Sequence, residues 1–248
     1  MTGHAPPQAP DELVWHDVEC GAYTADLPLW RELAAAADGP VLDVGAGSGR
    51  VSLDLARRGH AVTALDSDAA LLERLRMRAG DLPVRTATAD ARAFRLSRRF
   101  ALCLAPMQTV QVLGGAEGRA AFLRCAREHL EPGGLLAAAL AEVVEAFADT
   151  GEGGLPLPDI AEHEGWVYSS QPVAVRVEPD CAVIQRRREA VAPDGRRTVA
   201  DDVVRLDAVT PLELEAQAHG EGFEILPSRE IAATDDHVGS RVVVLRAA

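Results

Sequence analysis

From Pro40 to Leu140 the chain alternates short, almost wholly apolar runs with segments whose apolar positions recur at helical spacing. The apolar runs lie at Pro40 to Val44, Ala61 to Leu65, Val84 to Ala87, Phe100 to Leu104 and Leu135 to Leu140. Such runs are expected of strands buried on both faces, as in a parallel sheet. Between them, Arg50 to Arg58, Ala69 to Ala79 and Glu117 to Leu130 read as helices, and Leu27 to Ala37 as a helix leading into the first strand. Gly59 and the run Glu131-Pro132-Gly133-Gly134 supply the stops. Right-handed crossovers then predict a doubly wound, mostly parallel α/β fold.

The pattern changes after Ala141. A stretch rich in Gly and Pro, Thr150 to Pro158, precedes three runs of polar-apolar alternation at Trp166 to Val177, Cys181 to Val191 and Arg197 to Ala208. Asp194-Gly195 is a hairpin signal between the last two. Alternation implies one buried and one wet face, so these runs predict a small antiparallel sheet inserted after strand five, laid across the mouth of the nucleotide domain. Thr210-Pro211 opens a further helix, Gly220 to Gly222 closes it, and Phe223 to Leu226 and Arg241 to Leu245 finish the core sheet. The expected organisation is a disordered segment at 1–12, a core with an N-terminal helical cap at 13–140, an inserted β layer at 141–209, and a closing helix and hairpin at 210–248.

Composition narrows the function classes. The 248 residues are 48% hydrophobic, enough for one sizeable core plus an appended layer, and the net charge is −13. That charge argues against a nucleic-acid partner, whose phosphates demand a positive surface. All the basic residues are arginines, and the run Arg186-Arg187-Arg188 reads as a solvated strand edge. Cys20, Cys103, Cys125 and Cys181 are too scattered for a metal cluster or a disulfide framework, and Cys103 reads as core. No metal is expected. With no signal-peptide pattern and no membrane-length apolar stretch, a cytoplasmic protein is expected.

The informative motif is Val41-Leu42-Asp43-Val44-Gly45-Ala46-Gly47-Ser48-Gly49, a buried strand running into a glycine-rich turn and then a helix. Glycines at 45, 47 and 49 permit positive φ, and the following helix offers N–H groups to a ligand. A dinucleotide fingerprint counted from Gly45 would place its third glycine at Arg50, which weakens the nicotinamide reading.

An acid, one residue, then G-x-G-x-G at the end of a first strand resembles the class I S-adenosylmethionine-dependent methyltransferases. The resemblance spans about Val41 to Leu140 and includes Leu130-Glu131-Pro132-Gly133-Gly134. It implies that Asp43, Gly45, Ala46, Gly47 and Gly49 hold S-adenosylmethionine, with S-adenosylhomocysteine as product. It further implies that Asp66 takes the ribose hydroxyls with Ser67 beside the adenine, and that Asp90, Ala91 and Arg92 bind or cover the adenine.

Candidates for the remaining site are fewer. Tyr23, in the segment before the first core helix, could face a sulfonium with its ring and bond with its hydroxyl, and Arg31 could pair with the cofactor carboxylate. Met107 and Gln108 at the end of strand four, together with His16 and Glu142, are substrate-side candidates; His163 and Tyr23 are the catalytic ones. Should the acceptor need a base, His16, Glu19, Glu142, His163 and His237 are the ionisable residues near predicted strand ends or loops.

The reading is a small-molecule N-, O- or C-methyltransferase of specialised metabolism, whose inserted sheet offers an edge for a homodimer. Membrane association is not expected. The alternatives are a methyltransferase of protein or RNA, which should show an open or basic surface, and a protein that binds the cofactor without catalysis.

Overall fold

A computed structural model of the chain describes residues 13–141, 146–148, 155–235 and 237–247. They form two compact units, one made of 23–141, 179–181 and 206–247, the other of 13–22, 146–178 and 182–205.

The elements run α1 (Val14–Cys20), α2 (Leu27–Ala36), β1 (Val41–Val44), α3 (Arg50–Arg57), β2 (Val62–Asp66), α4 (Ala69–Ala79), β3 (Val84–Thr88) and β4 (Phe100–Ala105). After a 3-10 turn (Thr109–Val112) come α5 (Gly115–His129), β5 (Leu130–Ala141), β6 (Phe147–Ala148), β7 (Asp159–His163), β8 (Trp166–Val177), β9 (Cys181–Val191) and β10 (Arg197–Asp207). The chain closes with α6 (Pro211–Gly220), β11 (Phe223–Ile231) and β12 (Ser240–Ala247).

In the first unit the strand order is β11-β12-β5-β4-β1-β2-β3. β3, β2, β1, β4 and β5 are mutually parallel, while β12 runs antiparallel to β5 and to β11. The expected mostly parallel sheet is therefore present, with the reversal of strand order between β1 and β4.

Period-two alternation divides the core between the sheet's two faces. Leu42, Val44, Cys103, Leu136 and Leu140 pack with Phe122, Leu123 and Ala126 of α5 and Leu214 of α6. Val41, Leu102, Leu104 and Ala137 pack with Trp30 and Leu33 of α2 and Leu55 of α3. Cys103 is buried, as read from its apolar run. α6 opens with the expected cap, in which Thr210 Oγ1 accepts from the Glu213 N–H and Glu213 accepts from the Thr210 N–H.

The stop after α5 differs from expectation. Glu131 to Gly134 do not separate helix from strand; they lie inside β5, whose pairing jumps from Phe100↔Leu130 to Leu102↔Leu135. The extra residues bulge outward, with Gly133 at φ 79°.

The antiparallel unit contains the three predicted runs as β8, β9 and β10, plus β6 and β7, which the sequence pattern did not reveal. β7 pairs with β8 through a two-residue turn, Glu164-Gly165, with both residues at positive φ (50° and 78°). Glutamate rarely takes that conformation, so the turn carries no Asn-Gly or Asp-Gly signature. α1 packs Val14, Trp15 and Val18 against Trp166, Tyr168 and Ala190 of this sheet.

Arg186 and Arg188 correct a reading. β9 is an internal strand rather than an edge, and the two arginines, with side chains 16% and 20% exposed, form an ion network. Arg188 donates to both carboxylate oxygens of Glu19 (2.7 and 2.8 Å) and pairs with Asp202; Arg186 donates to Ser170 Oγ and pairs with Asp159. Only Arg187, on the opposite face, is exposed. Burial raises the Glu19 pKa, but the bonds from Arg188 and Ser170 and the charge of Arg186 outweigh it and hold the carboxyl below its usual range. Glu19 is thus an internal ion-pair partner rather than an available base. No helix among the described residues is long and apolar enough to cross a membrane.

Candidate active site

The strand order reverses between β1 and β4, and open α/β sheets bind ligands at the carboxyl ends of the strands flanking such a reversal. The glycine loop follows β1 there, with Gly45, Gly47 and Gly49 at φ 71°, 52° and 99°. Two of the three glycines are required by the protein's own packing. A Cβ on Gly45 would lie 2.6 Å from Thr109 Oγ1, and one on Gly49 would lie 2.6 Å from Leu75 Cγ of α4. Gly49 therefore serves close packing against α4, where Ala46, Leu53, Leu72 and Leu75 form a small cluster.

The loop's N–H groups are anchored too. Gly45 and Ala46 donate to the Leu65 carbonyl of β2 (2.8 and 3.1 Å), and Gly47 donates to Asp66 Oδ2 (2.8 Å). Asp66 also accepts from the Asp68 N–H (2.9 Å), so one partly buried carboxylate ties the glycine loop to the start of α4. Ser67 beside it is exposed.

Asp43 lies beneath the loop, 1% exposed. Ser52 Oγ of α3 donates to its Oδ2 (2.6 Å), while Oδ1 is buried without a partner. A buried, half-satisfied carboxylate is costly unless a cationic or N–H donor meets it. Burial, opposed by the Ser52 bond and the charge of Arg50, pushes the Asp43 pKa up to about 6.

A carboxyl whose pKa is higher folded than unfolded destabilises the fold where it is ionised and ceases to do so once protonated, so its penalty grows from about pH 4 to about pH 6. The penalty at neutral pH is about 3 kcal/mol. Urea unfolding of ligand-free protein should show wild type gaining about that much relative to Asp43→Asn as pH falls from about 7 to about 4. A constant difference would place the Asp43 pKa near that of an ordinary carboxyl.

The adenine-side candidates are together but differently engaged. Asp90 is clamped by Arg92, whose Nε, Nη2 and backbone N–H all donate to it, and these bonds hold its carboxyl down at about 2. Arg92 Nη1 also reaches the Leu113 carbonyl (3.3 Å), and half-buried Ala91 packs against the core.

Tyr23 is 7% exposed and belongs to the first unit. Its carbonyl accepts from Arg50 Nη1 (2.9 Å), and the Arg50 guanidinium lies 5.3 Å from its ring centroid. Arg50 forks onto Asp26 (2.5 and 2.7 Å), and Asp26 also accepts from Trp30 Nε1 (2.7 Å). In the spacing of the motif Arg50 figures only as an obstruction to the dinucleotide fingerprint. Its observed role is to fasten the segment carrying Tyr23 to the residue that follows the glycine loop.

Arg31 is bound elsewhere, in a bidentate pair with Asp54 of α3 (2.8 and 2.7 Å). Met107 follows β4 at φ 54°, strained for a residue with a Cβ, and packs against the core; Gln108 leads into the 3-10 turn. Gln111 was missed: its side chain accepts from the Ala141 N–H at the end of β5 (2.8 Å). His16 lies on α1 and His163 at the end of β7, both in the antiparallel unit. Glu142 lies outside the described residues. His237, beside β12, has its ring centroid 4.8 Å from that of Tyr23.

Residues 41–134 match the family model described as a methyltransferase domain. DesVI of Streptomyces venezuelae has the same fold at 18% identity, with 95% of this chain and 99% of that one covered and a TM-score of 0.71. So does CalS10 of Micromonospora echinaspora, an amino pentose methyltransferase of calicheamicin biosynthesis solved with S-adenosylmethionine bound, at 20% identity, 98% and 100% coverage and a TM-score of 0.71. The glycopeptide N-methyltransferase MtfA, solved with S-adenosylhomocysteine, matches at 25% identity, 88% and 86% coverage and a TM-score of 0.60. A sequence comparison with curated proteins gives no match. Residues 41–134 thus match a methyltransferase-domain model, on a chain that has the fold of these methyltransferase structures.

Proposed function

We propose that the chain transfers a methyl group from S-adenosylmethionine to the amine of a small acceptor, an amino sugar or a natural product bearing one. The observation that carries the donor half is Asp43. Its buried, unpartnered Oδ1 lies beneath a glycine loop at the sheet's switch point, and this suits the ammonium of an amino-acid moiety. Asp66 has free acceptor capacity for the ribose hydroxyls beyond its two backbone bonds. When bound, S-adenosylmethionine supplies an electrophilic methyl carbon.

The acceptor half rests on the relatives, among them an amino pentose methyltransferase and a glycopeptide N-methyltransferase. The net charge of −13 favours a small acceptor over RNA. Incubation with labelled S-adenosylmethionine and a panel of amino sugars, phenols and carboxylates, read by mass spectrometry, should show N-methylation of an amino sugar. Methylation confined to the phenols or carboxylates would overturn the acceptor class.

A further inference from the structure

We infer that His129 is a positioning residue for recognition of the cofactor's base: one of its ring nitrogens holds the loop after β3 in the shape that meets the adenine amine. The role rests on the donor site proposed above and adds what supports its base-binding edge.

Strand order sets where the base lies. With the amino-acid part of the cofactor at Asp43 on β1 and the ribose at Asp66 on β2, the base extends toward the next strand outward, β3. Ala89, the first residue beyond β3, donates its N–H to the Asp66 carbonyl (2.9 Å), so the loop begins against the ribose side. Residues 89–99 then cross to β4 without a helix or a strand. Their backbone must be satisfied by local turns and by neighbouring elements. Arg92 and Ala93 turn their N–H groups back onto Asp90 (2.8 and 3.0 Å). The Arg92 guanidinium keeps that carboxylate ionised, an acceptor for an amine N–H.

α5 supplies the outside support. Cys125, Glu128 and His129 share one face of its last turns, and each meets the loop. Cys125 Sγ donates to the Arg92 carbonyl (3.3 Å), Glu128 pairs with Arg95, and His129 Nε2 accepts from the Leu96 N–H (2.9 Å). A thiol is a weak donor, and the Glu128 pair is exposed to competing water. His129 is 6% exposed, its ring centroid 4.5 Å from that of Phe94 in the loop. Its Nδ1 lies 2.7 Å from the Cys125 carbonyl, which can only accept. Nδ1 therefore carries the hydrogen, and Nε2 offers its lone pair to Leu96. The two nitrogens have separate tasks: Nδ1 fixes the ring to α5, and Nε2 fixes the loop to the ring.

Two substitutions divide those tasks. His129→Gln keeps an acceptor at the Nε2 position, whereas His129→Asn keeps a donor for the Cys125 carbonyl and leaves the Leu96 N–H unmet. The readout is the choice between S-adenosylhomocysteine and S-inosylhomocysteine, which carries a carbonyl oxygen in place of the adenine amine. In calorimetric titration, full-length wild type should favour the adenosyl compound by about thirtyfold. His129→Gln should keep that ratio within about threefold, and His129→Asn should lower it about tenfold by weakening the adenosyl compound alone. If His129→Asn does not fold, hydrogen exchange of wild type decides: saturating S-adenosylhomocysteine should slow the Leu96 amide, and saturating S-inosylhomocysteine should not. Equal binding of both compounds by wild type, equal weakening of both by His129→Asn, an unchanged ratio in that variant, a Gln variant as impaired as the Asn one, or a Leu96 amide indifferent to the base would each overturn the proposal. Failure of wild type to bind S-adenosylhomocysteine at all would instead remove the donor site on which it rests.

Discussion

Asp26→Ala should destabilise the protein by about 3–5 kcal/mol, the cost of leaving one member of a buried ion pair uncompensated. Asp26 is 1% exposed and the Arg50 side chain 10%, so removing the carboxylate strands a guanidinium and also the Trp30 indole N–H. Asp26→Asn keeps a neutral acceptor for one of these donors and should lose less. Urea unfolding monitored by tryptophan fluorescence checks this directly, since Trp30 is fully buried beside the pair. A loss under about 1 kcal/mol for Asp26→Ala would mean that the pair behaves like an exposed one.

This network also shows where sequence reading stopped. The strands and helices around the parallel sheet were legible because strands buried on both faces are continuously apolar and because helix stops carry Gly and Pro. Asp43, the glycines and Asp66 were legible because chain-local spacing places them at strand ends. Arg50, adjacent to the motif, was visible, but its partner Asp26 lies 24 residues upstream and nothing in the spacing announces the pair. The same holds for Arg186 and Arg188. As a run they looked solvated, yet strand alternation sends them to one face, where Glu19 on α1 meets them from well over a hundred residues away. Arg31 shows the opposite error: a plausible cofactor arginine by position is taken by Asp54 one helix turn along α3. Charge pairing across elements is a tertiary property, and single-sequence periodicity does not encode it.

Asp66→Ala carries the second large effect, this time on binding. In its proposed role Asp66 accepts two charge-assisted hydrogen bonds from ribose hydroxyls, and at about 1.5 kcal/mol or more each these amount to about a hundredfold in affinity. The variant also frees the N–H groups of Gly47 and Asp68, but Asp66 is only partly buried and water can reach them, so stability should fall by no more than about 1 kcal/mol. A thermal melt alongside the binding curve separates the two effects.

The measurement that bears most directly on the donor site is therefore calorimetric titration of wild type and Asp66→Ala with S-adenosylmethionine, with NADH as the control ligand. Wild type should bind S-adenosylmethionine saturably and equimolarly, a folded Asp66→Ala should bind it about a hundredfold more weakly, and neither should bind NADH. Binding of NADH in place of S-adenosylmethionine, or undiminished S-adenosylmethionine binding by Asp66→Ala, would contradict the proposed donor site.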